Sequence, residues 1–93
     1  MDDQIVSIEK AIQCVESLEC YHHPQLLELL AFAYEANQNL FKSAQTFSQA
    51  FYSDLHQSYT EDILYAAQIY NQLHYNEAAA CCYRHYIDHF TKD

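Results

Sequence analysis

The chain has 93 residues and contains no glycine, no tryptophan, one proline (Pro24) and only four basic side chains: Lys10, Lys42, Arg84 and Lys92. Average usage would place about six or seven glycines in a chain of this length. Hairpin turns and bulges need backbone at positive φ, which glycine supplies at least cost, so its absence argues against a β-rich fold. The same absence removes the glycine-rich loops that cradle phosphates and the tight turns that build oxyanion holes. Thirteen acidic residues against four basic ones leave a formal charge of −9. The basic residues are scattered, so nothing is arranged to displace counterions from a nucleic acid or to hold an anionic membrane surface. No apolar run approaches the roughly eighteen residues of a spanning helix, and Met1-Asp2-Asp3 lacks the basic start of a secretion signal. These absences predict no nucleic-acid partner, no membrane insertion and a cytoplasmic location.

What is present is apolar and helical in pattern. Hydrophobic residues make up 51% of the chain, with nine tyrosines and five phenylalanines, enough for one domain with a single core. Ile5, Ile8, Ile12, Val15 and Leu18 recur three or four apart, which predicts a first helix over Asp3 to Leu18. Pro24 suits the first turn of a second helix, Pro24 to Ala36, because its missing amide hydrogen is no loss there. A third helix follows from Phe41 to Tyr52. Thr60, with Glu61 and Asp62 after it, opens a fourth that ends near Leu73, and a fifth runs from Asn76 to Phe90. Asn37, Asn39, Asn71, Asn76, Ser53 and Asp54 take the turns that glycine would otherwise fill. The connections are short, so neighbouring helices should pack antiparallel.

The second and third helices repeat in the fourth and fifth. Leu27, Leu30, Ala31 and Tyr34 followed by Ser43, Phe47 and Ala50 reappear 36 positions later as Ile63, Ala66, Ala67 and Tyr70 followed by Ala79, Tyr83 and Tyr86. This pattern resembles the tetratricopeptide repeat. Leu30-Ala31-Phe32-Ala33-Tyr34 stands where that repeat has Leu-Gly-x-Ala-Tyr, and Ser43, Phe47 and Ala50 stand at its small, aromatic and small positions. The second copy is looser, with Ala66-Ala67 and Tyr86, and neither copy has the closing proline. The resemblance covers about residues 24 to 90. It implies one all-α domain over 1–93: a short tetratricopeptide-like solenoid with pairs at 24–53 and 60–90 and one extra helix in front. Tyr34, Tyr70 and Tyr83 would then be core. Tyr21, Tyr52, Tyr59, Tyr65, Tyr75 and Tyr86 are more aromatic surface than so small a core needs, and tyrosine is enriched at protein interfaces.

Chemistry finds little footing. Cys81, His85 and His89 are spaced by four on the fifth helix, with Cys20-Tyr21-His22-His23 elsewhere. Three such ligands on one straight helix span about 12 Å, too far for the outer two to share an ion. Cys14, Cys20, Cys81 and Cys82 are expected to be reduced, since a helical chain this apolar has no need of staples. No motif gathers Cys, His and Asp into a nucleophilic site, so the expectation is not an enzyme, with no metal and no cofactor.

In tetratricopeptide arrays the first helix of each pair lines the concave face. Carried onto this chain, the resemblance assigns Glu28, Phe32 and Glu35 and their counterparts Leu64, Gln68 and Asn71 to a partner-binding groove. Phe32 lies off the stripe of Leu27, Leu30, Ala31 and Tyr34, and with Leu64 it suits an amphipathic or apolar helix. The groove lacks the Lys and Arg that grip an acidic carboxylate tail. Size, acidity and repeat pattern together resemble the small type III secretion chaperones that hold a needle subunit soluble alongside a second small co-chaperone. That resemblance implies a heterotrimer in which the groove clasps the needle subunit's helix and prevents premature polymerisation. Two alternatives remain open: a generic tetratricopeptide adaptor or scaffold module, and a metal-binding or redox protein built on the cysteines and histidines.

Overall fold

The computed structural model describes residues 2–17, 23–53 and 60–91. Met1, Leu18, Cys20, Tyr21, His22, Asp54, Tyr59 and Lys92, all named above, lie outside the described residues. Five helices follow in order: α1 (Asp2–Ser17), α2 (Pro24–Ala36), α3 (Leu40–Ser53), α4 (Thr60–Gln72) and α5 (Asn76–Thr91), with no strand among the described residues. Each packs against its neighbour in sequence. The fold is all-α, as the missing glycines and the apolar spacing predict.

Small side chains at the crossings draw the helices together. Ala31, Ala44, Ala66, Ala67 and Ala79 are buried around Phe47, Ile63, Ile69, Tyr70 and Cys82, and Phe47 is 1% exposed. Helix separation depends on the residues at the contact, so alanine at these positions permits close approach, with Phe47 filling the space between. Ser43 joins this layer by donating to the carbonyl of Ala31 at 2.7 Å, which satisfies a hydroxyl that has no exposure to water. Tyr34 and Tyr70 are buried as predicted. Tyr83 is only half-buried against the core, because its flank of α5 has no further helix over it among the described residues.

The repeat is sharpest in the turns. At the end of α2, Gln38 N–H donates to the carbonyl of Glu35 and Asn39 N–H to that of Tyr34; at the end of α4, His74 donates to Asn71 and Tyr75 to Tyr70. Both are Schellman caps, each with one left-handed residue. Those residues are Gln38 (φ 63°) and His74 (φ 68°), again 36 positions apart. Asparagine is the residue expected in these turns. Instead Asn37 holds the preceding position at φ −87°, and Gln38 takes the left-handed one.

Helix α1 extends the same pattern backwards. It meets α2 through Ile8, Ile12 and Val15 against Leu30, Ala33 and Tyr34. The Tyr34 hydroxyl donates to Glu16 of α1, and its counterpart Tyr70 faces Ser48 and Tyr52 of α3. Glu16 and Tyr52 are also 36 positions apart, so α1 lies on α2 much as α3 lies on α4.

Candidate functional site

Two hollows compete as sites. The larger, about 670 Å³, lies among α1, α2 and α3 and is lined by Glu16, Tyr34, Lys42, Gln45 and Gln49 among others. Its charged groups engage one another: Lys42 Nζ is 3.9 Å from Glu16 and lies 5.4 Å over the ring of Tyr34, whose hydroxyl also donates to Glu16. The smaller, about 330 Å³, lies between α2 and α4 and is lined by Phe32, Glu35, Phe47, Tyr65, Gln68, Ile69 and Gln72. It is the better candidate despite its size. Its wall includes a large apolar side chain left 43% exposed, Phe32, held in place by packing rather than by polar partners.

Phe32 stands edge-on to Phe47, with ring centroids 5.0 Å apart and planes at 86°, and 5.9 Å from Tyr65; Tyr65 closes the triangle at 5.3 Å from Phe47. Aromatic pairs at these separations and tilts are favourable, so Phe32 is a ring held by its neighbours and not a loose surface one. Carboxylates surround Tyr65. Its hydroxyl donates to Glu61 Oε2 at 3.4 Å. Burial chiefly, and then the negative charges of Glu61, Asp62 and Glu28, hold its phenol above the usual tyrosine range.

Of the six residues assigned to the groove from sequence, the structure places Phe32, Glu35 and Gln68 on this pocket, with Glu28 beside Tyr65. Leu64, half-buried, and Asn71, exposed, do not line it. Positions 36 apart point the same way and not toward each other. The flank of α2 that carries Glu28, Phe32 and Glu35 therefore meets a different flank of α4, that of Glu61, Tyr65, Gln68 and Gln72. Tyr65 and Gln72 were missed for this reason, and the helical step of about 100° from Leu64 to Tyr65 was the available signal. Leu29, the counterpart of Tyr65, is 58% exposed, since no helix among the described residues covers it as α2 covers Tyr65. Tyr52 and Tyr75 are exposed too, whereas Tyr86 is half-buried against the core.

The Cys and His residues do not converge. Cys81 is exposed, the His85 ring lies 5.5 Å from that of Tyr52, and His89 Nε2 lies 3.3 Å from Thr60 Oγ1. Among the described residues no group of three or more His, Cys, Asp or Glu side chains is placed to hold a metal ion. Cys82 is buried 3.9 Å from Ser48 Oγ, and burial pushes its thiol above the ordinary value, with the hydrogen bond to Ser48 opposing. A thiol so held is a poor nucleophile. None of the described helices is long and apolar enough to cross a membrane. No protein-family model, curated protein or solved structure matches the chain.

Proposed function

We propose that the chain is a protein-binding module whose groove between α2 and α4 receives an apolar side chain from a helical segment of a partner. The observation that carries this reading is Phe32: 43% exposed, fixed by Phe47 and Tyr65, and set in the wall of a 330 Å³ hollow. A rigid aromatic at the centre of a concavity is the form that interface anchors take, because little side-chain entropy remains to be lost on binding. Gln68 and Gln72 supply hydrogen-bonding groups at the rim while Phe32 and Phe47 supply the floor. Shielding an apolar helix until it is needed is chaperone work. The resemblance to type III secretion needle chaperones makes a needle subunit the first candidate cargo, held together with a second small protein.

Filling the hollow is the cleanest test, because it leaves the Phe32 stack intact. Gln68 is exposed, so Gln68→Trp should move stability by no more than about 0.5 kcal/mol. It should nevertheless abolish co-purification of the helical partner. Leu64→Asp, off the pocket, should retain it. Retention by Gln68→Trp together with loss by Leu64→Asp would move the binding face to the other flank of α4.

A further inference from the structure

The charges around this groove describe the helix that fits it. Glu35 lines the hollow, and Glu28 and Glu61 stand beside Tyr65 at its edge, Glu61 accepting the Tyr65 hydroxyl at 3.4 Å. The described cations are elsewhere. Lys42 pairs with Glu16 at 3.9 Å and Arg84 with Asp88 at 3.9 Å, while Lys10 is carried by α1. Among the described residues, no Lys or Arg reaches Glu28, Glu35 or Glu61. The apolar surface of Phe32 and Phe47 therefore sits beside three carboxylates that no Lys or Arg among the described residues neutralises.

We infer that the partner helix is basic, with Lys or Arg side chains flanking the apolar stripe that enters the groove. This inference rests on the groove reading of the previous subsection. Interface charge acts mainly on partner choice and association rate, because like charges facing each other across a contact are rejected and opposite ones are steered together. An apolar stripe alone would fit the floor of the hollow. Flanking cations let the same helix meet Glu28, Glu35 and Glu61 within a Debye length of about 8 Å at physiological salt. Burial chiefly, and then the charges of Glu61, Asp62 and Glu28, raise the Tyr65 phenol, and those same carboxylates set the field such a helix would encounter.

Two synthetic peptides of about 18 residues, five helical turns, test this. They share one Leu/Phe stripe and carry Lys or Glu at the flanking positions, and binding is read by fluorescence anisotropy at low and high salt. The Lys peptide should bind about tenfold or more tightly than the Glu peptide, with the gap narrowing as salt rises. The triple variant Glu28→Gln, Glu35→Gln, Glu61→Gln should lose most of that preference. A charge-matched control, Glu9→Gln, Glu77→Gln, Asp88→Asn, removes three exposed carboxylates from other places and should keep it. Equal binding of both peptides, abolished by Gln68→Trp, would overturn the charge inference and leave the groove standing. Equal loss in the triple variant and its control would also overturn it, by tracing the preference to net charge. Binding that survives Gln68→Trp, or no binding of either peptide, would bring down the groove and this inference with it.

Discussion

Gln38→Gly and His74→Gly should both stabilise the protein, although glycine normally weakens a helical chain. Each residue closes a Schellman cap at a left-handed backbone angle, φ 63° and 68°. An L-residue with a Cβ pays roughly 1–2 kcal/mol to sit there. Glycine relieves that strain but gives back roughly 0.5–1 kcal/mol through the greater freedom of the unfolded chain. Both side chains are exposed, so no packing is lost. The net gain is then about 0.5–1 kcal/mol at each site. The turns are separate, so the double variant should gain about 1–2 kcal/mol, and at 4–8 °C per kcal/mol the melting midpoint should rise by several degrees. Asn37→Gly is the control, because φ −87° carries no such strain and glycine there should cost up to about 1 kcal/mol. Thermal unfolding followed by far-ultraviolet circular dichroism measures all four variants against the parent protein. A midpoint that falls in both single variants, or that rises as much in Asn37→Gly, would refute the paired-cap account.

Other consequences follow from burial. Phe47→Ala should cost about 3–5 kcal/mol, a large part of a small domain's stability, since the ring is 1% exposed and touches both Phe32 and Tyr65; chemical denaturation reads the loss. Tyr83→Ala, at a half-buried site, should cost clearly less. In the folded protein a thiol reagent should modify Cys14 and Cys81 well before Cys82, which mass spectrometry of the labelled peptides resolves. Stability should decline at alkaline pH. The Cys82 thiol and the Tyr65, Tyr70 and Tyr52 phenols are all raised in the folded state, chiefly by burial, from ordinary values of 9.0 and 10.0. Their contribution is whole below those values and is lost as pH climbs through the folded ones, so denaturation midpoints should be flat near neutrality and fall from about pH 9 upward.

The helices were legible because their information is local. Ile8, Ile12 and Val15 on one stripe, Pro24 in a first turn and Thr60-Glu61-Asp62 at a helix start each act within a few residues. The repeat was legible for the same reason, read as matching residues 36 apart. Which flank of one repeat faces the next is set by three-dimensional packing, and so only part of the hollow's lining was legible. Phe32, Glu35 and Gln68 of that assignment line the hollow, whereas placing Tyr65 and Gln72 on it required knowing that α2 lies against the neighbouring flank of α4. Glutamine at the first left-handed turn position goes against propensity, whereas histidine at the second is among the residues enriched there. At Gln38 the conformation is imposed by the cap that the Tyr34 carbonyl completes.

The groove as a helix-docking surface is tested most directly by amide hydrogen exchange of the whole chain with and without the lysine-flanked peptide. The account predicts slower exchange confined to the stretches 28–35 of α2 and 61–72 of α4, with α1 and the second half of α5 unchanged. Protection centred on α1, on α5 or on the hollow around Lys42, with none at 28–35, would contradict it.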